Sequence, residues 1–329
     1  DNAWEWGTVG GSRAGIVAHN VVRLQTGCTF GPSSVCFYSP PLGTNGPVKA
    51  LALGPTASAY KYLYIGGSFT SAGAGTYAVT ANNVARYDTA YHTSAALGTG
   101  YGTEVIGLAV DAVANHVYGV AYSTDAVRRW DGSTWSQVSG VDYNSNRPVC
   151  LAADSEGNIY AGTYDSAGYA GAQLHVQRQG TSGFVEVGRD PAGTSTSSDW
   201  IEALTVDGSG QVYAATNHGV FWGNDNNPST PDYESWCAVS RWVIAGLYKR
   251  AVPSGSWARQ AYPPTGGGWT PPTAMVGDGN GDLYAVWGSY ATGVLSHLSA
   301  ATNVWTAKAA PDTSLYLRHL VWANGRLYA

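Results

Sequence analysis

Charge is what this sequence has least of. Asp, Glu, Lys and Arg make up 12% of its 329 residues, against roughly 25% in an ordinary soluble domain. Lysine occurs only as Lys49, Lys61, Lys249 and Lys308, and 22 acidic against 17 basic residues give a formal net charge of −5. Nucleic acid is thereby excluded as a partner, because no basic stripe exists to displace counterions from a phosphate backbone. No apolar run approaches the roughly 20 residues that cross a bilayer as a helix, so a spanning helix is excluded too. Apolar residues nowhere keep a 3.6-residue period over a long stretch, which removes the helical classes. Cysteine is sparse, and Cys28, Cys36, Cys150 and Cys237 lack the CxxC spacing of a structural zinc site.

What the chain does have is 43 Gly, 22 Tyr, 13 Trp and 44% hydrophobic residues. That mixture suits short strands joined by tight turns. An aliphatic-Tyr dipeptide recurs as Leu63-Tyr64, Val117-Tyr118, Ile159-Tyr160, Val212-Tyr213, Leu283-Tyr284 and Leu327-Tyr328. Turns such as Asp154-Ser-Glu-Gly-Asn, Asp207-Gly-Ser-Gly-Gln and Asp278-Gly-Asn-Gly-Asp precede most of them. Ahead of each turn runs an apolar strand: Val48–Leu53, Val105–Val110, Val149–Ala153, Ile201–Val206, Thr273–Val276 and Leu317–Trp322. Strand, turn, strand, six times over, is a repeated hairpin. Third strands follow at Val84–Tyr87, Val127–Trp130, Leu174–Arg178, Leu247–Arg250 and Val294–Leu298. Fourth strands open on an aromatic, as at Trp135, Phe184, Trp257 and Trp305.

Four-stranded antiparallel units in series predict an all-β, six-bladed β-propeller. The blades run 48–104, 105–147, 148–199, 200–270 and 271–315. The sixth combines inner strands from 316–329 with outer strands from 1–46, Asn20–Leu24 and Val35–Tyr38. Both chain ends thus close one blade and leave no open edge between them. In the first strands a column of Leu51, Leu108, Leu151, Leu204, Met275 and Leu320 alternates with Ala52, Ala109, Ala152, Thr205, Val276 and Val321. Large side chains on one blade are expected to seat against small ones on the next.

Tyr64-Ile-Gly-Gly-Ser-Phe-Thr-Ser-Ala-Gly followed by Asn82-Asn-Val-Ala-Arg-Tyr-Asp resembles the repeat of secreted bacterial propeller proteins. It is similar, too, to the propellers of fungal cortical-marker surface proteins. The second blade keeps Val127-Arg-Arg-Trp-Asp-Gly-Ser-Thr-Trp, and the others match in hairpin pattern only. The resemblance implies a secreted or surface-exposed propeller.

An even cysteine count with little charge points the same way, to an extracellular or cell-surface chain. Cys28 and Cys36 are expected to close a local disulfide, and Cys150 and Cys237 are left as a candidate long-range pair. Around the channel the first strands begin with Lys49, Ile106, Val149, Glu202, Thr273 and Arg318, of which Lys49, Glu202 and Arg318 could hold an anionic or sugar ligand. A ring of salt bridges is the plainer reading of those charges. Asp131-Gly-Ser-Thr-Trp135 loosely resembles a sialidase Asp-box but reads better as a capped turn. No cofactor is predicted. Asp225, Asp232 and Glu234, in the long insertion of blade four, offer oxygen ligands for calcium. Trp222 and Trp236 in that insertion are candidates for stacking on sugar rings. Trp4-Glu5-Trp6 fits the same second-strand register as Leu327-Tyr328-Ala329. Trp4, Trp6 and Tyr328 are therefore candidates for self-association.

No catalytic constellation emerges. The favoured function is a noncatalytic extracellular or cell-surface module, structural or adhesive, that meets copies of itself or other surface proteins and assembles into filaments. A carbohydrate-binding propeller and a polysaccharide-processing enzyme are the alternatives.

Overall fold

Each aliphatic-Tyr dipeptide lies on the second strand of a four-stranded antiparallel sheet. The computed structural model describes residues 23–26, 35–38, 43–54, 62–73, 76, 78–88, 91–121, 124–141, 146–165, 173–189, 201–206, 212–216, 246–250, 258–259, 272–278, 280, 282–287, 294–299, 301–302, 304–307, 320–323 and 326–328. Sheet one consists of Val48–Leu53, Tyr62–Gly67, Val84–Asp88 and Thr93–Ala96. Sheet two is Val105–Asp111, His116–Ala121, Thr124–Trp130 and Trp135–Val138. Sheet three is Asn146–Ala153, Ile159–Asp165, Gln173–Gln177 and Val185–Arg189. Sheet four is Ile201–Val206, Val212–Thr216, Gly246–Arg250 and Ala258–Arg259. Sheet five is Pro272–Gly277, Leu283–Trp287, Val294–Ser299 and Val304–Ala307. A further sheet joins Val321–Ala323 and Arg326–Tyr328 to Arg23–Thr26 and Val35–Tyr38, with Arg23 opposite Tyr328 and Leu24 opposite Leu327. The fold is all-β and propeller-like.

First strands neighbour first strands: Val48–Leu53 lies beside Val105–Asp111, and so on through Pro272–Gly277 and Val321–Ala323. The expected seating of large on small is present. Leu108 shares a buried cluster with Ala50 and Ala52 of sheet one, and Leu151 packs with Ala109 of sheet two. Leu204 packs with Ala152, and Met275 with Ala203.

The motif that carries the family resemblance is spent on this packing. A Cβ on Gly66 would collide with Val105 of sheet two, and one on Gly67 would run into the Pro47 carbonyl. Asn83 adopts the left-handed region (φ 65°), and its backbone N–H donates to the Phe69 carbonyl at 2.8 Å. Its side-chain Oδ1 accepts from the Phe69 N–H at 3.3 Å. Asn tolerates that backbone better than most residues, which accounts for its place before the third strand.

A regularity hidden in the sequence links second and third strands. The dipeptide Tyr stands opposite a basic residue type in most sheets: Tyr64 opposite Arg86, Tyr118 opposite Arg129, Tyr213 opposite Lys249, Tyr284 opposite His297 and Tyr328 opposite Arg23. Burial raises the phenol pKa of Tyr64 and Tyr118, and the neighbouring Arg86 and Arg129 oppose that rise. Sheet three departs from the rule: Tyr160 faces Val176, and its hydroxyl donates to Asp154 Oδ2 at 3.2 Å.

Candidate functional site

Five of the six residues that the sequence sets around the channel mouth share one backbone feature. Pairing jumps from Val48 to Ala50, from Pro148 to Cys150, from Ile201 to Ala203 and from Pro272 to Ala274. In sheet two it jumps from Val105 to Gly107. Lys49, Ile106, Val149, Glu202 and Thr273 are therefore each the extra residue of a β-bulge. A bulge leaves its extra residue out of the ladder and re-aims its side chain. The mouth column is thus a repeated device at the start of each first strand. Arg318, its sixth member, lies outside the described residues.

Lys49 Nζ lies 2.6 Å from Glu104 Oε1, across from sheet one to the entry of sheet two, with both side chains 30% exposed. That contact makes Lys49 one half of an ion pair. Glu202 is on the described strand Ile201–Val206, which puts it at the bulge.

Inside the mouth the wall turns aliphatic. Leu51, Leu108, Leu151, Leu204, Met275 and Leu320, each only 5–8% exposed, line one axial cavity of about 70 Å³ together with Ile106, Gly107, Cys150, Ala203 and Ala274. The column expected to pack between sheets thus also rings the axis. Cys150 belongs to this wall. Its sulfur lies 3.3 Å from the Ile201 carbonyl of sheet four, and a Cβ on Gly162 would collide with it.

The remaining sequence candidates divide in two. Asp131 caps its turn, its Oδ1 accepting the Ser133 and Thr134 N–H groups at 2.8 Å each. The Thr134 and then the Ser133 backbone donors hold its carboxyl well below the usual carboxylate range. Asp278 repeats that arrangement, accepting from Asn280 N–H at 2.7 Å and Asp282 N–H at 3.1 Å, so its carboxylate is engaged in turn chemistry. Among the described residues no three His, Cys, Asp or Glu side chains converge as a metal site. Cys28, Cys237, Trp4, Trp6, Trp222, Trp236, Asp225, Asp232 and Glu234 lie outside the described residues, whereas Cys36 and Tyr328 are on described strands. No helix among the described residues is long and apolar enough to cross a membrane.

No protein-family model matches the chain, and neither does any curated protein. Solved structures do. A catalytically inactive virginiamycin B lyase from Staphylococcus aureus with quinupristin is similar at TM-score 0.52 and 10% identity, over 95% of this chain and 96% of that one. Hydrazine synthase of Kuenenia stuttgartiensis matches at TM-score 0.49 and 11% identity, over 89% and 80%. The GH74 enzyme of Niastella koreensis matches at TM-score 0.47 and 18% identity, over 79% of this chain, which spans 38% of that enzyme's length. These neighbours are propeller proteins, and at such identities the likeness is one of fold alone.

Proposed function

We propose that this chain is a noncatalytic, extracellular propeller module that works through its surface, in contact with copies of itself or other surface proteins. The observation that carries the reading is the aliphatic ring across the axis. A propeller that performs chemistry in its channel needs ionisable or nucleophilic side chains there, and among the described residues this wall offers aliphatic side chains, with the Cys150 thiol the exception. Six blades, the last shared by the two chain ends, are part of the proposal. It is supported by the Arg23–Thr26 strand pairing with Arg326–Tyr328 and by the first strands neighbouring one another from Val48–Leu53 round to Val321–Ala323.

Self-association follows from the duplicated register. Leu327 and Tyr328 hold the second-strand position beside Leu24 and Arg23, the same register that the sequence of Trp4-Glu5-Trp6 fits. An unpaired strand edge adds strands from neighbouring chains, and a head-to-tail contact grows until it closes. The test is sedimentation velocity and negative-stain electron microscopy of the intact chain and of one lacking residues 1–6. Concentration-dependent assemblies lost on deletion, with the β-sheet circular dichroism unchanged, are expected. An intact chain that stays monomeric at high concentration ends the self-association reading, and release of sugar from a polysaccharide ends the noncatalytic one.

A further inference from the structure

Every first strand ends its sheet, bonding to a second strand on one side and turning its other edge to the axis. Along an antiparallel pair, residues bonded to the partner alternate with residues whose N–H and C=O point the other way. Three turn bonds fix which are which. The Gly54 N–H donates to the Tyr62 carbonyl at 2.7 Å, Asp154 to Asn158 at 3.1 Å and Asp278 to Asp282 at 3.0 Å. By alternation from those bonds, Ala52 opposite Tyr64, Ala152 opposite Tyr160 and Val276 opposite Tyr284 are bonded pairs. Leu51, Leu151 and Met275, each one step earlier, therefore point their backbone N–H and C=O to the axis. Leu108, Leu204 and Leu320 hold the same place, one residue before the partner of Tyr118, Tyr213 and Tyr328. The column whose side chains ring the axis thus also aims its backbone into it.

Above and below this level, neighbouring sheets supply partners. The Gly277 N–H, two residues on along the free edge of sheet five, takes Thr205 Oγ1 of sheet four at 3.3 Å. Toward the mouth, the Ile201 carbonyl accepts from Cys150 Sγ at 3.3 Å. At the level of the Leu and Met column no described residue bonds to the axial groups. Those residues are only 5–8% exposed, and a buried N–H or C=O without a partner costs as much as a lost hydrogen bond. Six residues with two groups each make twelve, far more than a native interior leaves unpaired. All first strands run from mouth to turn, so the N–H groups form one ring and the C=O groups the next. A cation seated against the carbonyls would meet the N–H ring, and an anion would meet the carbonyls. The ligand that fits both rings is small, uncharged, and both donates and accepts.

We propose that the axial cavity is a binding site for a cluster of ordered water, held by backbone groups of all six first strands. Twelve groups at about three bonds per water call for about four molecules. The cavity of about 70 Å³ has room for that number, at roughly 15 Å³ for each. The cluster ties together sheets that do not touch one another, which the side chains of the wall, packed between neighbours, do not do. Its role is that of a hub, and it stands apart from the surface contacts proposed above.

Crystals of the intact protein, diffracting well enough to order single waters, test this as grown, under xenon pressure and after a soak in rubidium chloride. Peaks are expected at about 2.7–3.2 Å from the backbone N and O atoms of Leu51, Leu108, Leu151, Leu204, Met275 and Leu320. Xenon should not displace them, and rubidium should give no anomalous signal there. Xenon in the cavity overturns the proposal, because a dry apolar cavity takes xenon and a wet one keeps its water. A rubidium peak, or oxygen neighbours at about 2.3–2.6 Å, replaces water with a cation and overturns the ligand class. A blank cavity in all three crystals overturns the site itself. In solution, the six axial amide protons should each show magnetisation transfer from long-lived water. Transfer missing from all six would sink the hub even if the crystals held water.

Discussion

The seam between sheets one and two and the seam between sheets two and three join similar sheets by different means. The first is closed by volume. Tyr101, fully buried, meets Trp135 edge-on at 5.0 Å, Trp130 lies 5.7 Å from Trp135, and Leu108, Val105 and Val84 fill the space beneath. The second is aliphatic near the axis, where Leu151 and Ile159 pack on Ala109 and Val120, and farther out it mixes Tyr118, Val127, Val138 and Phe184 with buried polar groups. There Gln173, His175 and Gln177, all 3–5% exposed, alternate with Leu174 and Val176, which pack toward sheet four. The polar three accordingly face sheet two. His175 Nε2 lies 2.9 Å from Gln173 Oε1, and Gln177 Nε2 donates to the Thr181 carbonyl at 2.8 Å. An apolar seam accepts any filling of similar volume, whereas the buried polar groups of the second are bonded within sheet three and so fix the shape of the face it presents.

Truncating the apolar seam should have the largest effect. Leu108→Ala removes a side chain 5% exposed that both fills the seam and rings the axis. It should cost about 3 kcal/mol in urea unfolding at an unchanged m-value. A loss under about 1 kcal/mol would mean that the seam collapses to fill the hole. In the polar seam Gln173→Leu keeps the volume but takes the acceptor from His175 Nε2, at a cost of about 1–3 kcal/mol. Gln173→Leu with His175→Leu should recover most of that loss. A double variant as unstable as the sum would show that the two residues do not act as a pair.

The smallest effect concerns a third seam, where Tyr284 of sheet five stacks on Trp322 at 5.1 Å and 14° and lies 4.7 Å from His297. Burial, with Asp278 and Asp282 adding to it, pushes the Tyr284 hydroxyl up to about 12 from the ordinary 10.0. The folded state therefore keeps a proton that the unfolded chain releases. This contribution is complete below pH 10 and falls away as pH rises toward 12. Between those values the melting temperature of Tyr284→Phe should decline less steeply than that of the intact protein, the slope that remains coming from residues such as Tyr64 and Tyr118. Parallel slopes would detach Tyr284 from the alkaline response.

The hairpins were legible because the aliphatic-Tyr step and its Gly/Asn/Asp turn are local signals. Val48–Leu53, Ile201–Val206 and Val35–Tyr38 coincide with observed strands, and most of the other boundaries differ by a residue or two. Of the expected Asn20–Leu24, the described residues Arg23 and Leu24 lie on the observed strand Arg23–Thr26. Thr93–Ala96 escaped notice, since Thr-Ser-Ala-Ala carries no aromatic to open a fourth strand. So did the buried face of Gln173, His175 and Gln177, because alternation with apolar neighbours ordinarily marks a side turned to water. At the site, the mouth column was readable from aligned hairpins. The bulges that set it apart were not, since a bulge is a relation between two strands and leaves no mark on one. The axial role of the Leu column was hidden for a similar reason, as one side chain can pack on a neighbouring sheet and face the axis at once.

At four successive seams, from sheet one to sheet five, the later sheet shows leucine or methionine and the earlier one alanine, and where Leu51 meets the sheet of Val321–Ala323 a valine takes the alanine's place. An interface of that kind has a head and a tail, so sheets can be appended in one order only. It carries no instruction to stop at two. A fragment of one or two sheets, released by cutting within 190–200 or 260–271, would bear both halves of the joint. Such fragments should lengthen into columns rather than pair off, since in the intact chain the sheets on either side of sheets two, three and four already occupy both of their faces.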